Sequence, residues 1–149
     1  MGRPRRPADQ PAQPGRPGRR RRGQPGPAAE WLDHWERHGF GYSAVETGEG
    51  RVVGFSGVRT SAWDGVPVLN LYYRFAPEVW GRGVATAVAR AVVADARRRQ
   101  PDVPVLAFTT VDNTGSRRTA LAAGLVRRPD LERVVDGHWA VVFTAPPAG

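Results

Sequence analysis

The sequence predicts an α/β (α+β) fold, a mixed sheet in which an antiparallel meander leads into a strand–helix–strand crossover. Three observations carry this expectation. Val68–Phe75 is built of β-branched, aromatic and aliphatic residues, as a buried strand requires, and Pro77 stops it because proline has no N–H for a sheet ladder. From Val84 onward, Val84, Val88, Val92 and Ala96 recur at helical spacing with Ala85, Ala89 and Val93 beside them, and the helix closes on Arg97-Arg98-Arg99, where its dipole is negative. Val103–Val111 is the next strand, so a right-handed crossover lays it parallel to Val68–Phe75.

The remaining elements follow in order. Glu30–His38 reads as a short helix with Trp31, Leu32 and Trp35 on one side, stopped by Gly39. Tyr42–Thr47 and Arg51–Thr60 are strands separated by Gly48-Glu49-Gly50, and a loop over Ser61–Gly65 leads into Val68. After Val103–Val111, Asn113 or Thr114 caps a helix that Gly124 ends. Val126–Val135 and His138–Thr144 form a hairpin around Asp136-Gly137, and Pro146-Pro147 end the ordered part.

Charge is unevenly spread. Residues 1–29 are mostly Pro, Gly, Arg, Gln and Ala; their eight arginines against Asp9 supply +7 of the net +8. A segment without aromatic or aliphatic residues cannot offset its ordering entropy and is expected to be disordered. Arg19-Arg20-Arg21-Arg22 admits weak, salt-dependent nucleic-acid binding, or a solvated low-complexity extension. No apolar run follows the arginines, so neither a secretory signal nor a membrane segment is expected. Residues 30–147 are left as one domain. With no cysteine there is no disulfide, thiolate nucleophile or Cys-based metal site; no metal is expected, and a cytoplasmic location fits.

Between strand and helix stands Trp80-Gly81-Arg82-Gly83-Val84-Ala85-Thr86. Two glycines let the backbone turn sharply and approach a ligand, and the free N–H groups of the following helix turn, with Arg82 beside them, make an anion site suited to a phosphate. Thr86 stands where a dinucleotide fingerprint wants Gly or Ala, and the chain has no lysine for a Walker loop. Pro77, Trp80, Gly81, Gly83, Ala85 and Thr86, followed by Asn113-x-x-Ser116 and Gly124-Leu125, resemble the two signatures of the GNAT N-acetyltransferases, in the branch of the ribosomal-protein N-terminal acetyltransferases. Gly39-Phe40-Gly41-Tyr42 is similar to a segment opening the second strand of that branch. Trp80 replaces the Arg or Gln of the broader pattern, as the branch itself does, and Ala87 stands where the branch often has Glu.

The resemblance implies the GNAT fold and an acetyl-CoA-dependent N-acetyltransferase in which an amine, of a protein N-terminus or a small molecule, attacks the thioester directly. It implies that backbone around Tyr73 to Phe75 holds the pantetheine and thioester, that Trp80, Gly81, Arg82, Gly83, Val84, Ala85 and Thr86 hold the pyrophosphate, and that Asn113 and Ser116 contact pantetheine and sulfur, Ser116 as proton donor. Many of these enzymes place a Tyr at the position of Ala120, and relatives carry a Glu near Asn70; both groups are absent here, which leaves Tyr72, His138 or water as the base. The family's first strand and most of two helices are missing ahead of Glu30, which thins the acceptor wall and leaves an edge strand open to homodimerisation. The alternatives are a truncated relative that binds acetyl-CoA but catalyses weakly, and nucleic-acid binding through the arginine tail.

Overall fold

The computed structural model describes residues 27–145. The expectations for residues 1–26, and for Pro146 and Pro147, lie outside the described residues. The elements are α1 (Pro27–His38), β1 (Ser43–Glu46), β2 (Val52–Trp63), β3 (Val66–Phe75), α2 (Val84–Arg99), β4 (Val105–Thr110), α3 (Thr114–Ala122), β5 (Val126–Arg127), β6 (Arg133–Val135) and β7 (His138–Ala145), with 3-10 turns at Pro77–Val79 and Pro129–Leu131.

The seven strands make one mixed sheet in the order β1-β2-β3-β4-β7-β5, with β6 pairing β7. β1, β2 and β3 form the expected antiparallel meander, and β4 runs parallel to β3. Among the described residues β1 pairs only with β2 and lies at the sheet edge.

Alternation along β3 divides the core between the two faces of the sheet. Leu69, Leu71, Tyr73 and Phe75 point to the face covered by α2 and α3, where they pack with Ala89, Val93, Ala96, Ala120 and Ala123. Alanines along the centre of α2 let the helix lie close to the strands, and Val84, Val88 and Val92 flank that line half-buried. On the other face, Tyr72 stacks on Tyr42 with Trp31 of α1 edge-on to both. Farther along that face Trp63, Val68, Leu106, Ala140 and Val142 form a second cluster, under Leu131 and Val135.

Four expectations need correction. α1 begins at Pro27, a residue suited to a first helical turn, so the helix takes in three residues assigned to the tail. Its inward side is Trp31 and His34, which is 8% exposed, whereas Leu32 is 65% exposed. The Ser61–Gly65 loop is instead strand up to Trp63 and a two-residue turn at Asp64-Gly65, both with positive φ, the backbone a tight hairpin needs. Trp63 secures that extension by donating to Leu131 O (2.8 Å) and stacking under the Arg133 guanidinium. Finally, Pro129 breaks Val126–Val135 into β5, a 3-10 turn and β6.

Candidate active site

The sheet opens at its centre. β3 and β4 are in register at Leu69–Val105 and Asn70–Leu106, and no further pair joins them although β3 runs on to Phe75 and β4 to Thr110. The result is a fork. Past Asn70, β3 is paired on its β2 side as far as Phe75 while its other edge has left β4.

The Pro77 turn and the two-glycine run follow directly. The Trp80 indole N–H donates to Phe75 O (2.8 Å), which fastens the start of the turn to the end of β3. Trp80 thus braces the loop and packs on the core. Gly81 and Gly83 have φ of +76° and +74°, left-handed values that explain why glycine stands at both. A Cβ at either would meet open space, so the backbone is uncovered there. Gly83 is the N-cap of α2 and supplies no side-chain cap, and no acidic residue stands in the helix's first turn. The first-turn N–H groups of Val84, Ala85 and Thr86 therefore point outward at the positive end of a 16-residue helix, with the exposed Arg82 alongside.

A hydrogen-bonded cluster closes the α2–α3 face of the fork. Asn113 caps α3 by accepting from Ser116 N (3.0 Å), and its amide donates to Thr109 Oγ1 (2.8 Å). The Tyr73 hydroxyl donates to Ser116 O (2.7 Å) and accepts from Ser116 Oγ (3.1 Å). Burial pushes the Tyr73 phenol up to about 12, against a smaller opposing effect of its bond with Ser116. The hydroxyl therefore stays protonated at neutral pH. Tyr73, Asn113 and Ser116 are brought together; Thr109, which the sequence reading missed, locks Asn113 in place. Its only sequence signal is a hydroxyl four residues before the cap.

The other expected residues are dispersed. Tyr72 faces away from Ser116, toward Tyr42 and α1. His138 is exposed at the β6–β7 turn, opposite Val135, and no side-chain hydrogen bond joins it to the Ser116 cluster among the described residues. Phe75 belongs to the core, its carbonyl taken by Trp80. Among the described residues no cluster of three or more His, Cys, Asp or Glu could hold a metal ion, and no helix is long and apolar enough to cross a membrane.

The family profile described as "Acetyltransferase (GNAT) domain" matches residues 16–126, most of the chain. The chain belongs to the GNAT acetyltransferase family. The match begins within the arginine-rich segment. Solved GNAT relatives share the fold at low identity. An acetyltransferase from Agrobacterium tumefaciens is 19% identical with a TM-score of 0.67, over 78% of this chain and 67% of its own. A ribosomal-protein-alanine N-acetyltransferase from Brucella melitensis is 22% identical with a TM-score of 0.65, over 80% and 76%. A GNAT-superfamily phosphinothricin acetyltransferase from Sinorhizobium meliloti, solved with acetyl-CoA, is 14% identical with a TM-score of 0.63, over 83% and 70%.

Proposed function

We propose that this GNAT protein is an acetyl-CoA-dependent N-acetyltransferase that acetylates a primary amine, on a protein N-terminus or a small molecule, by direct attack. The fork carries the reading. β3 leaves one edge unpaired beyond Asn70, and Trp80 ties the uncapped start of α2 to the end of that strand. An extended chain of amides can add to a free strand edge, and a pyrophosphate at its far end suits uncapped helix amides. Pantetheine and pyrophosphate have that order, so the residues fit acetyl-CoA. The structure of the Sinorhizobium meliloti relative with acetyl-CoA supports the same ligand.

In this reading backbone groups from Leu71 to Phe75 align the pantetheine, and the N–H groups of Gly81 to Thr86 receive the pyrophosphate. Acetyl-CoA supplies an activated acetyl thioester. The Ser116 hydroxyl gives a proton to the departing sulfur, and Tyr73, protonated and bonded to Ser116, can replace it. Asn113 keeps the Ser116 backbone in place. The attacking amine loses its proton to Tyr72, His138 or water. A second reading, an acetyl-CoA binder with weak catalysis, is favoured by Ala120, which is buried and brings no hydroxyl to this face.

Thiol release from acetyl-CoA, followed across a panel of small amines and N-terminal peptides, tests the proposal. It requires release above the hydrolytic background with at least one amine, together with the mass of an acetylated product. Acetyl-CoA binding without amine-dependent release would select the second reading.

A further inference from the structure

Asn70 carries a buried side-chain oxygen, Oδ1, with no hydrogen-bond partner among the described residues. The residue is only 7% exposed, flanked along the strand by Val68, Leu69, Leu71 and Tyr72. Such an oxygen is unfavourable in a folded chain unless something else comes to satisfy it. Its position says where that would happen. Asn70 is the last residue at which β3 is paired to β4, and strand alternation sets it between Val68 and Tyr72 on the α1 face. The opposite face of the fork is filled by Tyr73 and Ser116, both buried, so a second substrate has the α1 face for its approach. Directly across from Asn70 on β2 stands Arg59, half-buried, its guanidinium carbon 5.4 Å over the Tyr42 ring. Arg59 has no carboxylate partner among the described residues; Arg82, Arg90 and Arg118 have none either, but they are exposed whereas Arg59 is half-buried.

We infer that Asn70 Oδ1 accepts a hydrogen bond from the N–H of the acceptor amine and that Arg59 pairs with a carboxylate of the same acceptor. The substrate class is an amine that also bears an acid, such as an amino acid or an acidic peptide, and not a polyamine. A carboxamide oxygen orients an amine without taking its proton, and an unpaired guanidinium attracts a carboxylate and repels a polycation. The inference rests on the acetyl-transfer reading.

The test uses full-length wild type, Asn70→Leu and Arg59→Gln, each saturated with coenzyme A and titrated calorimetrically with L-alanyl-L-glutamate and with spermidine. Acetyl-CoA affinity and melting temperature are measured in parallel. Wild type should bind the dipeptide at least ~10-fold tighter than spermidine. Asn70→Leu should lose at least ~10-fold in dipeptide affinity, about the effect of one hydrogen bond to a charged group. It should keep its acetyl-CoA affinity and melt higher than wild type, because the orphaned oxygen is gone. A merely structural Asn70 would give a lower melting temperature instead. Arg59→Gln should weaken the dipeptide and not spermidine. Unchanged dipeptide affinity in Asn70→Leu, a lower melting temperature, or wild type binding spermidine as well as or better than the dipeptide overturns the inference and leaves acetyl transfer standing. Failure of wild type to bind acetyl-CoA overturns both.

Discussion

Ser116 lies buried beside the fork, and Tyr73 is what holds it. The phenol donates to the Ser116 carbonyl and accepts from the Ser116 hydroxyl, so one buried side chain satisfies both oxygens of one buried residue. Tyr73→Phe deletes both bonds with little change of shape. Leaving buried polar atoms unpaired costs ~1–3 kcal/mol, so urea denaturation should show a loss of that size. The variant should also turn over more slowly at unchanged acetyl-CoA affinity, since the phosphate turn is untouched. Full activity in Tyr73→Phe would remove the phenol from the proton path. Much of this cluster was legible in the sequence. Asn113 and Ser116 stood at cap spacing, and either a plain helix cap or a ligand contact explained them; the structure shows the cap. That Tyr73 reaches Ser116 was not legible, because 43 residues separate them and only the tertiary fold brings them together.

At the scale of elements, α1 is fastened to the sheet by His34. Thr60 N–H donates to His34 Nε2 (3.0 Å), which leaves Nδ1 to carry the proton donated to Phe40 O (2.8 Å). Trp35 adds a bond from its indole to Tyr42 O (2.7 Å). Desolvation by burial lowers the His34 pKa below 6.5, and His38 and Arg59 add to the lowering. A lowered base pKa means that the unfolded chain binds the proton more readily than the folded one. Stability from the neutral ring is therefore fully present above pH 6.5 and is lost as pH falls from there toward the folded-state value. Melting temperature should drop over that window in wild type, and His34→Leu should lose that part of the slope; an unaltered slope would contradict the assignment. Gly57 provides a second test of the same attachment. A Cβ there would fall on the Gly41 carbonyl oxygen, and φ is +151°, so Gly57→Ala must push the start of β1 from β2. Overpacking of this kind costs ~1–3 kcal/mol, measurable by denaturation. Two of the misread elements share one cause, since tertiary contacts overrode residue type there. His34 faces inward and Leu32 outward because two hydrogen-bonding partners await the histidine at Phe40 and Thr60. Ser61 and Ala62 look like loop, yet Trp63 beyond them is anchored under Arg133 and against Phe108. The β3–turn–α2 run was read correctly because Pro77 and two glycines dictate its backbone locally.

For the whole molecule, the fold places a free strand edge and an uncapped helix start at the same point. Most of the net charge lies in residues 1–26, away from that point in sequence. Removing residues 1–26, and stopping there because α1 begins at Pro27, should change stability by less than ~0.5 kcal/mol and leave acetyl-CoA affinity unaltered. Any nucleic-acid binding should disappear with them and fall steeply with added salt. A melting temperature several degrees lower would show that the segment belongs to the domain. Calorimetric titration of acetyl-CoA into wild type, Gly83→Ala and Gly83→Glu tests whether the ligand is held at the turn from Trp80 to Thr86. Both substitutions carry the strain of a side chain at a φ of +74°, and neither side chain's Cβ meets a neighbour. Only the glutamate sets a negative charge among the amides, so its excess effect over alanine reports the anion. Gly83→Glu, still folded by circular dichroism, should lose at least ~3 kcal/mol, or over a hundredfold in affinity, with Gly83→Ala far closer to wild type. Equal acetyl-CoA affinity in all three proteins would contradict this and return the two-glycine turn to an ordinary helix start.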